Sequence, residues 1–100
     1  MNIKIEEQEG KLVAILEGEL DTSVAHEVET ALSPLYDSNG RDIIIDCTGL
    51  EYIASNGLRI LLGILKSAKA AGSRVILKNV SDVIHEVLEL TGFVKIFEFE

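Results

Sequence analysis

Residues 46–59 (DCTGLEYIASNGLR) hold the side chains best placed to do chemistry, with Asp46, Cys47, Ser55 and Arg59 in one short stretch. The stretch runs from the end of an apolar run to the start of a helical pattern. In open α/β sheets, sites are built at such carboxyl ends of strands. Ser55 falls just before or at the first turn of that helix, and two roles suit a serine there. Its hydroxyl can cap the helix by accepting a first-turn N–H. It can also be a modifiable hydroxyl, because a phosphate there would face free N–H groups and the positive end of the helix dipole. Such a group would add a charge of about -1.5 to -2 at one point.

Catalytic signals are poor. A nucleophile-elbow serine needs a glycine two residues before it, and Ile53 stands there. Cys47 continues an apolar run with no histidine beside it, which reads as a buried, inert thiol. The two histidines, His26 and His85, each sit mid-helix beside a glutamate and outside any ligand motif. Neither Gly-rich phosphate cradle occurs. The expectation is a non-enzymatic protein with no cofactor and no metal.

Charge marks the same helix. Between Tyr52 and Ser81 there is no acidic residue, against five basic ones: Arg59, Lys66, Lys69, Arg74 and Lys78. On a helical wheel Ser55, Arg59, Leu62, Lys66 and Ser73 form a stripe opposite Leu58, Leu61, Leu65 and Ala68. This stripe is either a solvated face or a recognition face headed by Ser55, with Leu62 as its apolar contact.

The elements that must position these residues belong to one domain, 1–100, since a second would need about another hundred residues. Apolar residues make up 47% and charged residues 26%, a globular balance. Nine basic against seventeen acidic residues give a net charge of -8. That argues against nucleic acid or an anionic membrane as partner, since both need a cationic footprint. A single cysteine excludes a disulfide framework and suits a reducing compartment. No signal-peptide pattern opens the chain, and no stretch reaches the ~18 apolar residues of a membrane helix. The expected location is cytoplasmic.

Residues 2–8 and Lys11–Glu17 read as an antiparallel hairpin turning at Glu9-Gly10. Asp21 or Thr22 caps a helix whose apolar residues are Val24, Val28, Ala31, Leu32 and Leu35, and Pro34 ends it near Ser33. Asp42–Cys47, with three consecutive isoleucines, reads as a strand buried on both faces. Thr48 to Ala54 reads as a loop. A second helix runs from Ser55 or Asn56 through Ala71, ended by Gly72. Arg74–Lys78 is a short buried strand. Ser81 caps a third helix with Val83, Ile84, Val87, Leu88 and Thr91 as its apolar residues, and Val94–Phe99 reads as a last strand. The order β-β-α-β-α-β-α-β implies an α/β fold with a small mixed, mostly parallel sheet. Right-handed crossovers laid down in one direction put the helices mainly on one face, with the first strand antiparallel.

The chain resembles the STAS family, in particular the stand-alone bacterial anti-sigma factor antagonists. Three pieces carry the likeness: Gly18-Glu19-Leu20-Asp21, Asp46-Cys47-Thr48-Gly49-Leu50, and Ile53-Ala54-Ser55-Asn56-Gly57-Leu58. The element order matches over nearly the whole chain. The resemblance implies a STAS-like fold and a partner that is both anti-sigma factor and serine kinase. The unphosphorylated antagonist binds this partner and frees the sigma factor. Phosphorylation of the serine matching Ser55 releases it, and a serine phosphatase resets it. By the same resemblance Asp21, Thr22, Ser55, Asn56, Gly57 and Arg59 should border the contact surface, and Ala54 and the stripe residue Leu62 are expected to join them in binding the partner. Many members have aspartate where this chain has Ala54. A fourth helix common in the family is short or missing here, which would leave an apolar flank near Phe97 and Phe99.

Two other readings stand beside this one. Ala54 favours a STAS partner-binding subunit, in a transporter or signalling assembly, that is not regulated by phosphorylation. A receiver-like phospho-acceptor would use Asp46. Receivers need an acidic pair after the first parallel strand, and Glu19 and Asp21 are not adjacent. They also need a lysine after the last strand, where this chain has Glu100.

Overall fold

The computed structural model describes residues 1–100. Five strands form one sheet in the order β1-β2-β3-β4-β5. These are β1 (Asn2–Gln8), β2 (Lys11–Leu20), β3 (Ile43–Ile53), β4 (Val75–Lys78) and β5 (Glu98–Phe99). Only β1 runs antiparallel to its neighbour, and β2 to β5 pair in parallel. Three α-helices lie between them: α1 (Ala25–Ala31), α2 (Ser55–Ala70) and α3 (Asp82–Leu90).

The pleat sorts the sheet into two faces. Leu12, Ala14 and Leu16 of β2, Ile43, Ile45 and Cys47 of β3, and Val75 and Leu77 of β4 join one core with Val28, Leu61, Ile64, Leu65, Ile84 and Leu88 of the helices. The alternate residues lie outside this core, so the helices sit on one face, as right-handed crossovers require. The isoleucine triplet is therefore not buried on both faces. Ile43 and Ile45 are fully buried, whereas Ile44 points to the open face and is half-buried.

Three boundaries and one burial pattern differ from the sequence reading. First, Thr48–Ile53 is strand, not loop: β3 continues beside a longer β2, with Glu17 opposite Gly49 and Leu20 opposite Ile53. Two register shifts absorb the irregular sequence, one of them beside Gly18, whose φ of +107° suits glycine. A partner strand outweighs local turn propensity here. Second, the first helix is interrupted. A 3-10 turn (Thr22–Val24) precedes α1, and a second (Ser33–Asp37) accepts Pro34 in its first turn. Third, Val94–Phe99 is mostly not strand. Gly92, at φ +80°, ends α3 and a 3-10 turn (Phe93–Lys95) follows, leaving only Glu98–Phe99 to pair with Ile76 and Leu77. Fourth, α3 buries only Ile84 and Leu88. Val87 is half-buried, and Val83 and Thr91 are exposed.

Candidate functional site

The carboxyl ends of β2 and β3 are tied together. The Ala54 N–H donates to the Leu20 carbonyl at 2.9 Å. The first turn of α2 rests on both strand ends, and Gly57 makes this possible. A Cβ at Gly57 would lie 2.6 Å from a δ-carbon of Leu20 and 2.9 Å from a γ-carbon of Ile53. Gly57 is itself buried, so it admits the helix and presents no side chain of its own.

Beside it stands the turn after β2. Asp21 caps the Thr22–Val24 turn, accepting the Ser23 N–H at 3.0 Å and the Ser23 hydroxyl at 2.6 Å. Those hydrogen bonds hold its carboxyl below the ordinary aspartate value. Thr22 is exposed on the same turn, which packs against α2.

Ser55 is the first residue of α2 and is exposed. The capping role is not its own. Ala54 is the N-cap, in extended conformation, and its methyl group caps nothing. The first α-helical bond runs from the Leu58 N–H to the Ala54 carbonyl at 3.0 Å. The amides of Ser55, Asn56 and Gly57 precede it at the positive end of the helix dipole. The Ser55 hydroxyl makes no hydrogen bond within the protein, so no general base is bonded to it. It is chemically idle and sterically open, which suits modification or recognition and not nucleophilic attack.

The stripe behind Ser55 is partly as expected. Arg59 and Lys66 are exposed and form no ion pair. Leu62 is only half-exposed and leans on the core. Ser73 does not belong to the stripe. It lies in the turn after α2, 6% exposed, with its hydroxyl 3.1 Å from that of Ser38. Arg74 is also diverted, gripping both carboxylate oxygens of Glu98. The unpaired basic charge on α2 is thus Arg59, about one turn from Ser55, with Lys66 and Lys69 about three and four turns away.

The sequence reading did not mark three residues that adjoin this surface. His26 and Glu29 of α1 line a groove of about 220 Å³ with Asn56 and Arg59 of α2. Their signal was a polar helix face with no partner named for it. Tyr52, opposite Glu19 and three residues before Ser55, is 48% exposed. An aromatic residue inside a stretch taken as loop gave no face to assign it to.

Two other candidates are structural. Cys47 is 1% exposed, and burial, with the nearby Asp46 charge, pushes its thiol up to about 12. It is an inert core residue. Partial burial pushes the Asp46 carboxyl up, but hydrogen bonds from the Thr48 hydroxyl (2.6 Å) and N–H (3.0 Å), the Lys78 charge and Asn79 outweigh it and leave the value below ordinary. Asp46 lies within β3, and its carboxylate is occupied by Thr48 two residues on. His85 lies 2.9 Å from Glu89 on α3, away from any nucleophile. No three of His, Cys, Asp and Glu converge as metal ligands do, and no helix is long and apolar enough to cross a membrane.

The STAS domain model matches residues 2–100. BtrV of Bordetella bronchiseptica, assigned as an anti-sigma factor antagonist, is 30% identical over 97% of this chain and 84% of its own. The anti-sigma-B factor antagonist of Staphylococcus aureus is 30% identical over 92% of this chain and 85% of its own. Among solved structures, the Bacillus cell fate determinant SpoIIAA in its phosphorylated form superposes with a TM-score of 0.73 over 99% of this chain and 91% of its own. At 23% identity, that last likeness is one of fold.

Proposed function

Because the chain belongs to the STAS domain family, we propose that it acts as an anti-sigma factor antagonist, binding an anti-sigma factor and so freeing a sigma factor. The observation that carries this reading is the surface at the head of α2. Exposed Ser55, Arg59 and Thr22, with half-buried Asp21, stand on strand ends locked by the Ala54–Leu20 bond and the Gly57 contact. Such a surface is rigid before it binds, which lowers the entropic cost of docking.

The anti-sigma factor is proposed to be a serine kinase as well, and Ser55 its target. The uncapped amides of the first turn and the unpaired Arg59 accommodate a phosphate where Ala54 supplies no competing carboxylate. The phosphate would bring about -1.5 to -2 of charge and new bulk to the middle of the contact surface. Binding would fail while the fold stayed intact. A serine phosphatase would restore the binding form. The role is one of binding and not of catalysis, and it is carried out in the cytoplasm, where a sigma factor acts.

Ala54 also supports a second reading, a constitutive STAS binding subunit that needs no phosphate. A displacement assay tests the antagonist role. Purified chain is added to a preformed complex of sigma factor and anti-sigma factor from the same organism, and the mixture is resolved by gel filtration. Release of sigma factor with a new antagonist–anti-sigma peak is expected. An unchanged complex at saturating chain would contradict the antagonist role.

A further inference from the structure

Helix α3 presents an apolar stripe that the fold uses only in part: Val87 packs against the edge of the core, while Val83 and Leu90 do not. Its inward side is complete with Ile84 and Leu88, both buried. At helical spacing Val83, Val87 and Leu90 fall on one narrow stripe away from that side. Val83 is 63% exposed and Leu90 80%, the two most exposed of the seven large hydrophobic residues left at the surface. Single exposed apolar residues are ordinary. Two that are this open, aligned on one short helix with a half-buried valine between them, form a docking stripe.

The charges beside the stripe choose its occupant. Between Lys78 and Lys95 there is no lysine or arginine, while α3 carries Asp82, Glu86 and Glu89. Glu89 is taken up by His85, and Asp82 and Glu86 have no ion-pair partner. A second copy docking α3 on α3 would bring these carboxylates together, in a chain whose net charge is already -8. Helix α2 itself differs in sign, carrying Arg59, Lys66 and Lys69 and no acid, so a basic helix that suits α3 is repelled along α2.

We infer that the outer face of α3 is a second docking surface that takes a basic amphipathic helix of another protein. Leucine-like anchors of that helix would pack on Val83, Val87 and Leu90, and lysine or arginine flanks would meet Asp82 and Glu86. Two proteins could then be held at once, one at the head of α2 and one along α3.

The test is an NMR titration of the isotopically labelled full chain with a stapled helical peptide bearing leucine at helical-stripe spacing and lysines on either side. A second peptide carries glutamate in place of the lysines. Shifts confined to residues 82–91 are expected with the lysine peptide, weakening as salt rises, and none with the glutamate peptide. Leu90→Lys removes an exposed side chain, so its circular dichroism should be unchanged while affinity falls roughly tenfold, as for an apolar anchor. The inference is overturned by shifts centred on α2, by equal binding of both peptides, by wild-type affinity in Leu90→Lys, or by no binding. Sedimentation of the chain alone is expected to give a monomer. A dimer abolished by Leu90→Lys would assign the stripe to a second copy instead.

Discussion

The Ala54 amide donates to the Leu20 carbonyl across 2.9 Å, joining the end of β3 to the end of β2 one residue before Ser55. This bond and the missing side chain at Gly57 fix where α2 begins. The position of the exposed serine is therefore set by two strand ends and not by a flexible loop.

The Gly57 contact gives the first prediction. In an ordinary helix, alanine would be favoured over glycine by about 1 kcal/mol. Here its Cβ would meet Leu20 at 2.6 Å and Ile53 at 2.9 Å, so two side chains packed in the core would have to shift. Overpacking of this kind costs about 1–3 kcal/mol. Gly57→Ala is expected to lower the midpoint of urea unfolding and to weaken partner binding by displacing Ser55. An unchanged or raised midpoint would mean that α2 does not rest on the strand ends.

Ile45 lies on the core face of β3 and is fully buried. Ile45→Ala should cost about 2–5 kcal/mol, the range for a large-to-small change in a packed core. Urea unfolding measures it, and a loss under about 1 kcal/mol would remove β3 from the centre of the fold.

Cys47 should resist alkylation in native protein at neutral pH and react once the protein is unfolded. Its folded thiol is raised to about 12, above its ordinary value of 9.0. A raised value means that its contribution to stability is complete below pH 9.0 and is lost as pH climbs toward about 12. Cys47→Ala should flatten that part of the pH–stability curve. Rapid native labelling would contradict burial.

Asp46 has the opposite sign. Its folded carboxyl lies below the ordinary value, so its contribution is present above the unfolded value and is lost as pH falls through the folded one. Thr48→Val removes the 2.6 Å hydroxyl bond. It should move the Asp46 titration, followed by carbon-detected NMR, upward toward the ordinary range. No movement would mean that the hydroxyl does not hold the carboxylate.

Much of this was legible in the sequence. The run Asp42–Cys47 announced the central strand, and the change to helical spacing at Ser55 placed the head of α2. The errors arose where tertiary partners decide. Gly49 and Glu51 look like loop residues, yet Gly49 pairs with Glu17 of the extended β2, and Glu51 is the residue a register shift skips within the same strand. The alternation of Val94 and Ile96 looks like strand, yet Gly92 turns the chain into a 3-10 turn first. Val83 fits an inward helical pattern, but burial is set by what α3 packs against, and Ile84 and Leu88 complete that side. Capping misled in the same way: Ser55 has the right chemistry for an N-cap, but the backbone of Ala54 occupies that position.

The central claim is that Ser55 is the switch. The direct measurement is the affinity of the anti-sigma factor for three forms of the chain by isothermal titration calorimetry: wild type, Ser55→Ala, and wild type treated with the kinase and ATP. Intact mass should report one added phosphate on the treated protein, and none when Ser55→Ala is treated. Circular dichroism should be unchanged throughout, since the phosphate sits at the end of a helix whose dipole favours it by about 0.3–1 kcal/mol. Wild type and Ser55→Ala should bind alike, and the phosphorylated form should bind at least about a hundredfold more weakly, or roughly 2.7 kcal/mol. Equal affinity for the phosphorylated and unphosphorylated forms, or a phosphate that still adds to Ser55→Ala, would contradict the account.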